Sequence, residues 1–389
     1  MNENCITYID NRKLIHVTYM PYLSIGIYKK IKILARISEK NQYPIDFMIL
    51  NLFKEKKYGN LHLKKIEFYK FIPRRIQSMF FKYKLIKKNI PWEKYKYIIL
   101  RHVMYPDIDS IKMFKKYGNK IFSEHHTNEI MEIKSINKKL NLKKIIDFYL
   151  EKFLTPIKLK YSRGIIAVTK EIIDLEERKG GLKNSYLISN GCILSLNNII
   201  KNNKFDNKIL KIIFVSSVFY PWQGLDRILR SLKKYNGDLK IEFTIVGIIN
   251  ELELIKSINE INEKKGLIKI KWLKRLDSYD LDNEYKKNNI AVSTLALYRK
   301  NMKEACPLKS CEYIAKGIPF IYAYEDPNIT DDYKYALKIS NDNSLIDFKK
   351  IIEFVNEVYK EKDMYKNIYQ YARKHVAYER KLEQYINLL

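Results

Sequence analysis

The stretch from Lys300 to Ala323, KNMKEACPLKSCEYIAKGIPFIYA, holds two glutamates eight positions apart, Glu304 and Glu312, with Pro307 between them. Proline suits the first turn of a helix, where its missing N–H costs nothing. The pattern predicts a helix over about Pro307–Lys316, with Gly317 just beyond its end. Leu308, Cys311 and Ala315 would share its sheet-facing side, and IPFIYA would be the following strand. A helix start of this kind turns the N–H groups of Leu308, Lys309 and Ser310 outward, which favours an anion such as phosphate. Glu312, one turn in, is placed to accept hydrogen bonds from vicinal hydroxyls. Glu304, in the loop before, falls on the other side of bound phosphates. Ribose, diphosphate and hexose in that order describe a nucleotide-diphosphate-sugar.

Working outward, strand and helix patterns alternate twice along the 389 residues. KLIHVTYM, YPIDFMILNLF, YKYIILRHVM, NKIFSEHH and RGIIAV read as strands of a first series, with a helix expected over Ile136–Phe153. LKIIFVSS, KIEFTIVG, LIKIKWL, NNIAVSTLAL and IPFIYAY form a second. Alternation of this kind predicts α/β architecture, two Rossmann-like doubly wound parallel sheets, with ligands in the cleft outside the carboxyl ends of the strands. The expected domains are residues 1–188, completed by a terminal helix 372–389, and residues 189–371, divided near the turn dipeptide Asn190-Gly191.

Composition narrows the function classes. Apolar residues make up 46%, so burial is not limiting. No apolar run has the length of a membrane span, and the polar start lacks a signal-peptide core, so the cytoplasm is the expected location. Cys5, Cys192, Cys306 and Cys311 fit neither a redox pair nor a zinc site. His125 and His126 have no second metal half-site nearby, so no metal is expected. The net charge of +29 divides unevenly, +21 over residues 1–190 and +8 over the rest. The abundance of Lys, Asn, Ile and Tyr is what an AT-rich genome gives, so part of that charge carries no message. No RNA-binding motif is present, and nucleic acid is not an expected partner.

The Glu-x7-Glu spacing followed by YIAKGIPFI resembles the donor motif of GT-B glycosyltransferases of the family-4 type. LISNG resembles the Asn-Gly of their interdomain turn, and IIFVSSVFYPWQGLDRILRSL the strand–loop–helix that holds the donor diphosphate. FTIVG is similar to the next strand and its glycine, and PLKSCEYIAKG to the form in bacterial surface-polysaccharide transferases. The resemblance implies transfer of a sugar from a nucleotide-sugar donor to a glycan or lipid-linked glycan acceptor, with retention of configuration and no required cofactor. It also implies a histidine after the fourth strand facing the donor sugar, here His126 with His125 second; a surface pair at a strand end is the alternative. Gly26, after the first strand, either lets backbone approach the donor or is an ordinary loop glycine.

The chain departs from the family form, which has an arginine in the first donor loop and a lysine before its glycine. Ser216, Ser217 and Gln223 stand there, ahead of Gly224. Glutamine can bond phosphate but is uncharged, so Gln223 or Lys309 is expected to take over the basic pair's work. Trp222 reads as a packing residue, and Asp226 and Arg227 as a structural ion pair or cap. The basic, aromatic stretch Lys64–Tyr95, with Phe68, Phe71, Phe80, Phe81 and Trp92 among Arg74, Arg75, Lys82 and Lys84, is expected to meet an anionic membrane surface. A sugar-nucleotide epimerase or hydrolase on the same fold, and a non-catalytic basic membrane- or nucleic-acid-binding protein, are the alternatives. Turnover of donor without acceptor, or salt-dependent RNA binding without donor binding, separates them.

Overall fold

The computed structural model describes residues 14–20, 24–51, 56–66, 71, 81–136, 142–181, 184–195, 199–200, 205–264 and 266–389. Cys5, Phe68, Arg74, Arg75 and Phe80 lie outside them. The chain divides into two compact units: 1–188 with 378–389, and 189–377.

The first unit is built on β1 (Leu14–Tyr19), β2 (Ile45–Asn51), β3 (Lys56–Tyr58), β4 (Leu61–Lys65), β5 (Tyr97–Arg101), β6 (Ile121–His125), β7 (Gly164–Ala167) and β8 (Ser185–Leu187). Their order is β3-β4-β2-β1-β5-β6-β7-β8. All the pairs are parallel except the β3–β4 hairpin. Every residue of β2 is buried, as a parallel strand covered on both faces requires. One face is covered by α1 (Ile25–Lys40), and the other by α2 (Lys82–Asn89) and α3 (Ile108–Tyr117). Next come α4 (Glu129–Ile136), α5 (Leu142–Leu159) and α6 (Lys170–Gly180). Two caps set helix starts: Asp107 accepts from the Ser110 N–H and Thr169 from that of Ile172. The helix expected over 136–153 meets two elements, Ile136 ending α4 and 142–153 lying in α5. The second continues past Phe153, because Pro156 still accepts from the Lys160 N–H.

The second unit holds β9 (Ile209–Val218), β10 (Lys240–Ile248), β11 (Ile268–Leu273), β12 (Ile290–Val292), β13 (Phe320–Tyr322) and β14 (Ala336–Lys338). The order is β11-β10-β9-β12-β13-β14, all parallel. Its helices are α7 (Leu225–Lys233), α8 (Leu252–Glu263), α9 (Ser278–Lys286), α10 (Leu308–Lys316), α11 (Phe348–Lys360) and α12 (Met364–His375). The last helix, α13 (Tyr378–Ile386), belongs to the first unit, where Leu382 and Tyr385 enter the core beside Leu34. In each unit the strand order reverses at its first strand: β1 lies between β2 and β5, and β9 between β10 and β12. The crevice at such a reversal, outside the carboxyl ends of the strands, is where open α/β sheets bind ligands.

Candidate functional site

In the second unit, the sequence-predicted residues gather at the reversal around β9. Gly247, closing β10, has φ 142° and approaches so closely that a Cβ would stand 1.8 Å from the Ser216 carbonyl oxygen. Only glycine permits that contact. The Ser216 hydroxyl donates to Val218 O at 2.8 Å, and Ser217 is exposed. A single 3-10 turn, Pro221–Gln223, then runs into Gly224, whose φ of 78° starts α7. A Cβ on Gly224 would meet that of Leu295 at 2.8 Å. The turn is clamped by Arg299, which donates to both Asp226 oxygens and to Pro221 O, each at 2.7 Å. Arg227 is buried and donates to the carbonyls of Ser344, Leu295 and Ser340 at 2.7 Å. Asp226 and Arg227 are therefore structural, though each has its own partners rather than the other. Trp222 stacks on Tyr220, with ring centroids 4.6 Å apart.

Helix α10 starts after Pro307 with no side chain capping it, and its first intrahelical bond is Cys311 N–H to Pro307 O. Beside this start, Lys309 Nζ donates to Gln223 Oε1 at 2.6 Å and lies 4.9 Å from the Phe214 ring centre. Gln223 and Lys309, the two residues expected to take over the basic pair's work, are thus joined, and the positive charge belongs to Lys309. Burial pushes its ammonium down to about 7. The Ser310 hydroxyl turns inward, to Pro307 O and Asp326, both at 2.9 Å. Only the backbone N–H of Ser310 serves the helix start. Leu308 is 36% exposed, so of the three residues expected on the sheet-facing side, only Cys311 and Ala315 are buried. Glu312 is half-buried, 3.9 Å from Lys316 Nζ. Glu304 is also half-buried, its backbone pinned by a bridge to Glu325 in which Glu325 N–H donates to Lys303 O and Ala305 N–H to Glu325 O.

Three residues that hold this loop were not singled out from the sequence. Asn328 donates to Asn190 O at 2.8 Å, and Asn190 to Cys306 O at 2.6 Å. Asp326 anchors Ser310, and Thr294 lies 3.5 Å from Gln223 Oε1. The polar run EDPN after β13 was the available signal for Asp326 and Asn328.

In the first unit the two histidines part ways. His125 is fully buried, with Nδ1 3.0 Å from Glu129 Oε1, Nε2 2.9 Å from the Ser123 hydroxyl, and its ring stacked on His102. It does not face a substrate, because β6 points it into the core. Burial pushes it down to about 4. His126 follows the strand, with Nε2 3.0 Å from Glu124 Oε2 and 2.9 Å from Arg101 Nη1. Burial, then the Arg101 guanidinium, pushes it to about 3, so the imidazole is neutral. Glu124 also meets His16 Nε2 at 3.0 Å and accepts from the Tyr385 hydroxyl at 2.5 Å. Burial opposes its ionisation, but His16 and His126 hold it well below the usual carboxylate range. Gly26 lies in the first turn of α1, not in a loop, with nothing within 4 Å of where its Cβ would be.

Among the described residues, His102, His125 and Glu129 lie close enough to share a cation. Their chemistry fits one poorly. His102 already uses both ring nitrogens, accepting from Lys158 Nζ at 3.0 Å and meeting Glu151 Oε1 at 2.9 Å. The two rings are stacked 4.5 Å apart, so their in-plane lone pairs run side by side. Burial pushes Glu129 up to about 8, which makes it a proton carrier beside His125. A cavity of about 450 Å³ in the second unit, lined by Leu232, Tyr235, Glu260 and Ile268, opens at the amino ends of β10 and β11 and includes none of the expected site residues.

Of the residues named in the basic stretch 64–95, Phe71 is 98% exposed and Lys84 is exposed, while Lys82 and Trp92 are not. Lys82 is buried, donating to Met104 O at 2.6 Å. Trp92 is buried and stacks on Tyr117 with centroids 4.0 Å apart. Both belong to the packing of α2 and α3 rather than to an outer surface.

Two parallel α/β units of this strand order are the GT-B glycosyltransferase architecture. Residues 197–375, nearly all of the second unit, match the family model described as glycosyl transferases group 1. No curated protein matches the sequence. Among solved structures, the chain is similar to sucrose-phosphate synthase from Thermosynechococcus elongatus, at TM-score 0.65 and 12% identity over 97% of this chain and 98% of that one. It is similar to the lipopolysaccharide outer core galactosyltransferase WaaB at 0.58 and 12%, covering 97% and 100%. It is also similar to Anabaena HepE, solved in complex with UDP and glucose, at 0.57 and 10%, covering 97% and 99%. Domain match and fold together support a transferase.

Proposed function

We propose that the chain is a retaining glycosyltransferase that moves a sugar from a nucleotide-diphosphate-sugar to a glycan or lipid-linked glycan acceptor in cell-surface polysaccharide synthesis. The observation that carries this is the Lys309–Gln223 contact at the uncapped start of α10, with Glu304 before it and Glu312 one turn inside. The N–H groups of α10 and the Lys309 ammonium stabilise the diphosphate as the glycosidic bond breaks and charge moves onto it. Glu312 accepts from the ribose hydroxyls, and Glu304 from the transferring sugar. In the first unit, His126 is the neutral imidazole that the family resemblance assigns to the donor sugar. The acceptor hydroxyl attacks on the face the diphosphate leaves, and the departing phosphate oxygen takes its proton. No metal is needed, since the charge is met by Lys309 and the helix start. HepE's complex with UDP and glucose supports a uridine nucleotide as the first donor to try.

The test is a thermal-shift screen against UDP-, GDP-, ADP- and dTDP-sugars. Stabilisation by one nucleotide class, reduced in Lys309→Ala, is expected. No shift with any of them would overturn the reading.

A further inference from the structure

Helix α5 is turned the wrong way for a surface helix. Two of its charged residues, Glu151 and Lys158, are buried at 1% exposure each, while Asp147 is half-buried and Lys152 exposed. Its outward residues Ile145, Ile146, Tyr149, Phe153 and Ile157 are between 38% and 56% exposed. Four of these recur every fourth position, so they form one stripe along more than three turns. Tyr149 and Phe153 stack on each other, ring planes 4° apart and centroids 5.9 Å apart. An apolar stripe of this length left in water signals a partner, whereas scattered exposed apolar residues do not.

The rim says which partner. Lys152 stands over the Phe153 ring at 5.4 Å, and Lys115 of α3 over Tyr161, just past the end of α5, at 5.5 Å. Tyr161 is itself 40% exposed. Both ammonium groups thus stand over rings at the edge of the stripe. Lysine is depleted where one protein covers another but favoured where rings enter a lipid interface beside anionic headgroups. The half of the chain that carries α5 has a net charge of +21. We propose that the outer face of α5, with Lys115 and Lys152 at its edge, docks the first unit on an anionic lipid surface. This surface includes none of the proposed transfer site, so it stands whether or not the donor reading holds. It places the contact on α5 rather than on the 64–95 stretch, where Lys82 and Trp92 are buried and Phe71 is exposed alone among the described aromatics.

The experiment is co-sedimentation of the full chain with phosphatidylcholine vesicles, with and without phosphatidylglycerol, at low and high salt. Binding is expected only with phosphatidylglycerol, weakening at least several-fold at high salt. Tyr149→Ser with Phe153→Ser should lose about tenfold or more. Lys115→Gln with Lys152→Gln should lose less and flatten the salt dependence. Both pairs are exposed, so an unchanged unfolding midpoint is expected and separates lost docking from lost folding. Full binding by the Tyr149/Phe153 variant, or loss only with Arg74→Ser and Arg75→Ser, would overturn the proposal. A dimer abolished by the Tyr149/Phe153 change, without vesicle binding by the wild type, would assign the stripe to a second copy and overturn it equally.

Discussion

The two units use polar residues in opposite ways. In the second unit, Ser217, Gln223, Glu304, Lys309 and Glu312 stand at the carboxyl ends of the strands, exposed or half-buried. Their positions are held by two close-approach glycines, a 3-10 turn and an uncapped helix start, braced by the side chains of Arg299, Asp326 and Asn328 behind them. In the first unit, Glu124, Glu129, Glu151, Glu176, His125 and Lys158 are buried, and their positions are held by one another. A site built on backbone tolerates side-chain changes one at a time. A network of buried charges does not, because removing one member leaves its partner charged in a medium that cannot solvate it.

The largest effect therefore belongs to the buried network. Glu124→Ala strands the Arg101–His126 pair and the Tyr385 hydroxyl of α13. It should cost the first unit about 3–5 kcal/mol, read as lost hydrogen-exchange protection in β6. Unchanged protection would show that the buried pairs are not what holds that unit.

Acid sharpens the same contrast. His125 is held at about 4 and His126 at about 3, against 6.5 when unfolded. Above pH 6.5 both states are neutral. As pH falls below that, the unfolded chain takes protons that the folded one refuses, so stability is lost progressively down to pH 4. Glu129, held up at about 8, acts in the other direction between its unfolded value and pH 8. The first unit should thus lose stability from pH 6.5 to 4, and His126→Gln should make that slope shallower. Denaturant midpoints across that range check it, and parallel slopes for the two proteins would contradict the assignment.

In the second unit, Glu312→Gln should weaken nucleotide binding by roughly 1.5–3 kcal/mol, as loss of a charged acceptor does. Glu304→Gln should leave binding and lower turnover. Wild-type kinetics in both folded variants would remove them from the site.

How much was legible follows from this contrast. Strands β9 to β13 and α10 follow from local pattern, since Pro307 and Gly317 bound the helix within a few residues of themselves. Gln223 and Lys309 were each expected at the diphosphate, but their contact joins residues 86 apart, and Gly247 and Gly224 act on Ser216 and Leu295 from elsewhere in the chain. The β3–β4 hairpin was not legible, because all three residues of β3 are exposed and carry no apolar alternation. Helix α9 was missed for a similar reason: of its nine residues only Glu284 and Tyr285 are buried. The burial of His125 was hidden too. A pair of adjacent histidines at a strand end must point to opposite sides, and only packing says which side is core. Asn328 escaped because its partners, Asn190 and Cys306, are far away in sequence.

The smallest effect is the most discriminating. Lys309→Ala should weaken UDP binding more than uridine binding, and should abolish a pH dependence. Its ammonium is charged below about pH 7 and neutral above, so the wild type should lose diphosphate affinity as pH rises past 7. Bound diphosphate stabilises the charged form, so the loss should extend above pH 7. Gln223→Lys, which restores the family's basic residue, should change affinity by no more than about threefold at pH 7.5. A second ammonium beside Lys309 disfavours the first one's proton, so the charge offered to the diphosphate hardly changes. The double exchange Gln223→Lys with Lys309→Gln keeps one cation and one amide in contact with places reversed, and should bind UDP as the wild type does. Titration calorimetry of the four proteins separates the outcomes. If the double exchange binds as poorly as Lys309→Ala, the position of the cation matters and not its presence, and the diphosphate must lie against α10 rather than against the Pro221–Gly224 turn.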